Sequence, residues 1–492
     1  MSPRRARVPA LALLLALACA ARSPATQPPA SDPPKVAAPP AADPSPPVPA
    51  GPPRLFRNAR VMTAAGQILE RADLLVVDGR ISAVGPNLSA PAGAVLVDVA
   101  GKTLTPGIID THSHLGVYAS PGLSGHADGN EMSAPNTAHV RAGDAYWPQD
   151  PQIDLARAGG VTTAQILPGS ANLFGGRTFT VRLIPGARSA EDARFPGAPE
   201  GLKMACGENP KRVYGDKSGP KTRMGNVAGY RDAFQRAKEY NRTWSKYHKD
   251  HAAWEKNKDK PPPAPPGGGP GKPPDEPQPP ARDFGLETLS LVLDGEILVH
   301  NHCYRADEMA IMLDLATEFG FKVAAFHHGV EAYKVADLLA ARGVCGALWA
   351  DWWGFKMEAY DGIQENLALV DRPANGCAIV HSDSSEGIQR LNQEAAKAMA
   401  RGVRAGLAIA PERAIRWVTA NPARALGIAD RTGTLEAGKL GDVVVWNRDP
   451  FSVYALADQV YVEGALVYDR AHPAAKPRSD FLLGQPGQEV QP

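Results

Sequence analysis

The stretch Gly107-Ile108-Ile109-Asp110-Thr111-His112-Ser113-His114, preceded by Pro106, decides how the rest of the chain is read. The proline ends whatever runs into it, and Ile108-Ile109 reads as a short buried strand. His112 and His114 then stand two apart near that strand's C-terminal end. Side chains alternate faces along a strand with a period of two, so both imidazoles leave on one face. Two neutral imidazoles converging from one rigid strand form half of a divalent-metal site. The same spacing also fits two unrelated histidines at a strand end. The surroundings carry the weight.

On the C-terminal side, short apolar runs alternate with amphipathic ones. Val161 to Leu167, Leu202 to Cys206, Ile297 to His302, Lys322 to His327 and Ala378 to His381 read as strands. Helices are expected over Asp307 to Phe319, Glu331 to Arg342 and Gln389 to Arg401, each stopped by the glycine that follows. A fourth is expected from Pro411 to Leu426, with proline in its first turn. Strand–helix alternation over roughly 300 residues implies parallel strands with right-handed crossovers, in a closed barrel or an open sheet. Gly175-Gly176 reads only as a loop doublet.

Both flanks of this region read as β. Leu74 to Val77 and Ile81 to Val84 form a hairpin around Asp78-Gly79, and Val95 to Val99 forms another strand. Near the other end, Asp442 to Trp446 and Val460 to Val467, turning at Glu463-Gly464, repeat the style. The expected organisation is a small β-sandwich domain built from residues 54–106 and 429–472 around a barrel at 107–428.

An insertion at 216–282 interrupts the barrel. Tyr230, Phe234, Ala237, Trp244, Tyr247 and Trp254 recur at helical spacing among charges, which predicts an amphipathic helix of about nine turns. A Pro/Gly-rich tract, Pro261 to Pro280, follows it.

The 53 basic and 52 acidic residues of the 492-residue chain leave a net charge of +1, which offers nothing to nucleic acid. Residues 1–20 have the make-up of an export signal: Arg4, Arg5 and Arg7, the apolar run Leu11 to Leu17, then small residues. Cleavage after Ala18 or Ala20 gives an ordinary secreted protein. Ala16-Leu17-Ala18-Cys19 also resembles a bacterial lipobox, which places a lipid membrane tether on Cys19, with residues 21–53 as a Pro/Ala-rich linker. The expected location is the periplasm or the outer membrane, and residues 473–492 form a tail. Cys206, Cys303, Cys345 and Cys377 are far apart without a framework, so buried free thiols are expected.

Polar side chains close the later strands. His300 and His302 close one, His327 and His328 the next, and His381 and Asp383 the last. In a barrel such positions line one mouth. With these residues in view, the chain resembles the amidohydrolase superfamily, specifically its imidazolonepropionase-like and prolidase-like metal-dependent hydrolases. The resemblance rests on Thr105 to His114 and on Gly433-Thr434-Leu435-Glu436-Ala437-Gly438-Lys439-Leu440-Gly441-Asp442-Val443, and spans residues 54–470.

The resemblance implies a distorted (β/α)8 TIM barrel of the α/β class holding one or two divalent ions, Zn foremost, with Mn, Fe or Co as alternatives. By the same resemblance His112, His114, His302, His328 and Asp383 match metal positions. His300 is the rival of His302, and His327 of His328. Lys203, which can be carboxylated, fills the bridging position, with Glu208 as its rival. The implied reaction is hydrolysis of an amide, cyclic-amide or dipeptide-like bond by a metal-activated water, with Asp383 moving the proton. Tyr304, Arg305 and His381 are candidate substrate contacts, and the aromatic run Trp349 to Lys356 reads as rim packing or a pocket wall. The expected partner is a small-molecule amide, with self-association open. A one-metal deaminase and a catalytically inactive surface scaffold are the alternatives.

Overall fold

The computed structural model describes residues 51–217, 219–260, 275–352 and 354–473. The expected export signal, nearly all of the linker, most of the Pro/Gly-rich tract and nearly all of the tail lie outside the described residues.

Strands from both flanks build one sheet. It contains β1 (Arg54–Met62), β2 (Ile68–Val77), β3 (Arg80–Gly85), β4 (Val95–Asp98) and β5 (Thr103–Pro106). From the far end come β14 (Val443–Trp446), β15 (Ala457–Val462) and β16 (Ala465–Asp469). The order is β16-β15-β14-β5-β1-β2-β3, with β4 on β1, so the chain ends meet where β14 runs antiparallel to β5. Asp78-Gly79 and Glu463-Gly464 turn the hairpins with positive φ at both residues, as two-residue hairpin turns require. Phe56, Val61, Leu74, Val76, Val443, Val445 and Tyr461 form this domain's own core.

The second sheet holds β6 (Ile108–Ser113), β7 (Val161–Ile166), β8 (Phe174–Arg182), β9 (Gly201–Ala205), β10 (Leu298–Cys303), β11 (Val323–His328), β12 (Cys345–Leu348) and β13 (Ala378–Val380). They neighbour one another in sequence order from β6 to β13. All pairings are parallel except those of β8, which runs antiparallel to both β7 and β9. The result is a distorted, nearly closed eight-stranded TIM barrel. Gly107 forms the junction between the sheets. Its N–H donates to the carbonyl of Asp442 at 2.9 Å, and a Cβ there would meet Thr162 Oγ1 at 2.1 Å. Only glycine lets β6 start this close to β7.

Several expectations are corrected. Gly175-Gly176 lies inside β8 at a register shift, where Gly176 takes φ +118°; the glycines mark a bulge. The helix Leu391–Arg404 runs through Gly402, because that glycine accommodates Ile409 and Ala368 at distances no side chain tolerates. The segment expected as one helix from Pro411 is broken into Pro411–Ala414, a 3-10 turn and Ala420–Ala425. The cysteines pair, Cys206 with Cys303 and Cys345 with Cys377. Strand pairing explains why. Ala205 lies beside His302, and Gly346 beside Ala378, so residues 97 and 32 apart in sequence become neighbours.

The insertion is a helix over Arg223–Asn257. Tyr230 and Phe234 pack edge-on against Phe174 of β8, and Phe234 also stacks on Phe321 at 4.5 Å. The first half of the aromatic stripe therefore seals the barrel flank.

Replacing Gly107 by alanine should lower stability by roughly 1–3 kcal/mol through overpacking against Thr162. Urea midpoints of the two proteins measure this, and an unchanged midpoint would refute the close-approach account.

Candidate metal centre

His112 emerges from β6, fully buried, and His114 follows just beyond the strand with its ring 5.1 Å away. Asp383 lies just beyond the last barrel strand. Its Oδ1 is 3.3 Å from His112 Nε2 and 3.1 Å from His114 Nε2. His114 Nδ1 donates to the carbonyl of Leu167 at 2.9 Å, which turns Nε2 toward Asp383. The buried Lys203 Nζ stands 3.4 Å from His112 Nε2 and donates to the carbonyl of Pro168 at 3.0 Å.

Strand register sorts the other histidines into two layers. His300 pairs across with Lys203, and His302 with His327. Alternation alone would send His328 to the face opposite His327. Its left-handed backbone, φ 71°, turns it back, and its ring packs 4.6 Å from His112 and 4.7 Å from His302. Asp383 takes the same uncommon conformation, φ 53°. Strained non-glycine backbone at two strand ends is a mark of a functional site. His327 Nδ1 lies 2.9 Å from His112 Nδ1, and His327 Nε2 lies 3.0 Å from His300 Nδ1. The two rivals thus form a chain of imidazoles behind His112.

The barrel closes at this site. Asp110, fully buried, accepts from the N–H of His112 at 3.0 Å, the N–H of Ser382 at 3.2 Å and the Ser382 hydroxyl. The N–H of Asp383 in turn donates to the carbonyl of His112 at 3.0 Å.

Burial dominates the electrostatics. It lowers the Lys203 ammonium to about 7 against the pull of Asp383, and raises the Asp110 carboxyl to about 7 against the hydrogen bonds of Ser382. It holds His300 and His381 near 3 and keeps His112, His302, His327 and His328 neutral, helped at His112 by Lys203. Burial would also raise Asp383, but His328, His114 and His381 outweigh it and hold the carboxyl well below its usual range.

A profile of the amidohydrolase family matches residues 379–468. The chain is 32% identical over 462 residues to the amidohydrolase tasK of Hapsidospora irregularis, covering 87% of this chain but only 44% of that protein. It is 25% identical over 439 residues to imidazolonepropionase of Mesorhizobium japonicum, covering 80% of this chain and 92% of that one. An amidohydrolase structure from Thermotoga maritima, 34% identical, superposes with a TM-score of 0.72 over 85% of this chain and 100% of its own. The chain belongs to the amidohydrolase family.

Among the described residues of this amidohydrolase, two groups of side chains present ligand atoms within 4.8 Å of one another: His112, His114 and Asp383, and His112, His328 and His381. The second brings in His381, whose Nε2 accepts from the N–H of His328 at 3.3 Å. His302 joins through ring contacts with His328 and Tyr304, while its Nε2 lies 3.5 Å from Asn209 Nδ2. Glu208 opens a short helix and pairs with Lys356 at 3.4 Å. Arg305 forks onto Asp307 at 2.9 and 2.8 Å. Tyr304 is buried against His302 and Trp349.

Sequence reading missed Tyr118, whose ring lies 5.5 Å from His114, and Ser382, whose signal is its place between His381 and Asp383.

Asp110→Ala should destabilise the protein by roughly 3 kcal/mol, because three buried donors lose their acceptor; Ser382→Ala, which removes one donor, should cost about 1 kcal/mol. Urea denaturation checks both, and equal losses would contradict the seam.

Proposed function

We propose that this amidohydrolase cleaves an amide bond in an N-blocked amino acid, cyclic amide or dipeptide, with divalent ions held by His112, His114, Lys203, His302, His328 and Asp383. The observation that carries the reading is the convergence of His112 Nε2, His114 Nε2 and Asp383 Oδ1. The neutral His112 imidazole and the ionised Asp383 carboxylate turn acceptors toward one another, and acceptors this close are reconciled by a shared cation. Buried His302 Nδ1, His328 Nδ1 and His381 Nδ1 lack hydrogen-bond partners, so the donor set fits a metal centre.

Lys203 is the preferred bridge because its Nζ reaches His112, whereas Glu208 is engaged by Lys356. His302 and His328 are preferred over His300 and His327, which bond each other. With the His112 Nε2 lone pair committed, its Nδ1–H donates to His327 Nδ1, and His327 Nε2–H donates to His300 Nδ1.

A divalent cation held by these residues would supply Lewis acidity and bring the pKa of a water down to about 7. Asp383, its carboxyl held well below the usual range, is placed to accept a proton from an attacking water and return it to the leaving nitrogen. The Leu167 carbonyl fixes the His114 ring, whose Nε2 lies 3.1 Å from Asp383 Oδ1. Trp349, stacked on His328 at 4.3 Å, keeps bulk water from that side.

Metal analysis after loading in bicarbonate should find two ions per chain; one ion, unchanged in Lys203→Ala, would move the bridge or favour the one-metal deaminase. Asp383→Asn should keep the fold by circular dichroism and lose about 10²–10⁴-fold in kcat. His327→Leu should weaken metal affinity roughly 10–100-fold by chelator competition. Unaltered affinity would remove the imidazole chain from the scheme.

A further inference from the structure

The loop after β12 covers the metal centre in a graded way. Trp349, 9% exposed, stacks on His328; Trp352, 44% exposed, stacks on Trp349 at 5.4 Å; Phe355, 56% exposed, stands edge-on to Trp349 at 5.8 Å. An apolar surface therefore runs outward from the centre with its far faces in solvent. At its end, the Lys356 ammonium lies 4.1 Å from the centroid of the Tyr304 ring, which itself packs 4.7 Å from His302.

Lys356 is withdrawn from water, its side chain only 18% exposed. It donates to Asn209 Oδ1 at 3.2 Å, and Asn209 Nδ2 lies 3.5 Å from His302 Nε2. A single amide group therefore separates this cation from the metal centre. It pairs with Glu208 at 3.4 Å, a carboxylate one-third exposed. The other nearby carboxylates are taken: Arg223 binds Glu308 at 2.9 Å and also pairs with Glu358. An ammonium so placed, held by a long ion pair and a neutral amide, has unspent capacity for an anion that arrives from the centre.

We propose that Lys356 anchors a carboxylate of the substrate while Trp349, Trp352 and Phe355 take its side chain. The substrate class is then an N-acyl amino acid with an aromatic or large apolar side chain. The inference rests on the amide-hydrolase reading above and names its substrate. In the free protein Asn209 and Glu208 occupy the anchor, and the incoming carboxylate takes a place beside them on Lys356. Cation–π contact with Tyr304 holds the ammonium over the mouth.

The test uses metal-loaded full-length protein with two probes, N-acetylphenylalanine and N-acetylphenylalaninamide. Binding of each is measured by calorimetry and turnover by amine release. The wild type should favour the acid, and Lys356→Met should weaken acid binding and raise its KM about tenfold or more, leave kcat within about twofold, and leave the neutral amide unaffected. Lys356→Arg should restore much of the affinity. Metal content serves as the control for folding. Equal acid affinity in wild type and Lys356→Met, or no acid binding by the wild type, overturns the anchor. Lys356-dependent binding without turnover of either probe upholds the anchor and counts instead against the amide-hydrolase reading.

Discussion

One buried carboxylate holds the barrel's first and last strands together. Asp110 accepts from His112 and from both donors of Ser382, and Asp383 answers by donating back to the His112 carbonyl. No ladder pairs β6 with β13 among the described residues, so this seam closes the sheet there. A carboxyl group buried this deeply is costly unless its acceptors are used, and here they are. The same bonds fix the backbone of His112 and Asp383, so closing the fold and bringing two candidate ligands together are one event.

Behind that seam lies a second constraint. Three imidazoles, His112, His327 and His300, are linked nitrogen to nitrogen inside the barrel. Each ring has one donor and one acceptor when neutral, so fixing one tautomer fixes the next. Burial keeps the rings neutral. The chain thereby orients His112 from below while Asp383 and Lys203 face it from above. His328 escapes this layer only because its backbone turns left-handed at the strand end.

The insertion reaches the site through its first turn. Arg223 holds Glu308 and Glu358, Asn226 donates to the Gly207 carbonyl at 3.0 Å, and Glu308 accepts from the Gly207 N–H at 2.9 Å. These bonds tie the helix start to the loop after β9 and to the aromatic loop after β12. An element that reads in sequence as a flank-packing helix thus also braces the rim.

The sequence by itself determined the β-rich flanks, the strand–helix alternation between them, the hairpin turns, and the histidines and aspartate at the strand ends. Local rules govern all of these: period-two alternation, turn residues with positive φ, and polar groups placed after apolar runs. It did not determine which histidine of each pair faces the centre, because at β11 that depends on a backbone twist at His328, and at β10 on the partner His300 finds across the barrel. Nor did it reveal the antiparallel β8, since Gly175-Gly176 signals a bend whether in a loop or a bulge. The cysteine pairs, the engagement of Arg305 by Asp307 and the place of Lys356 beside Tyr304 were likewise settled by tertiary structure. Each depends on contacts between side chains brought together by strand pairing or loop packing, which the order of residues does not display.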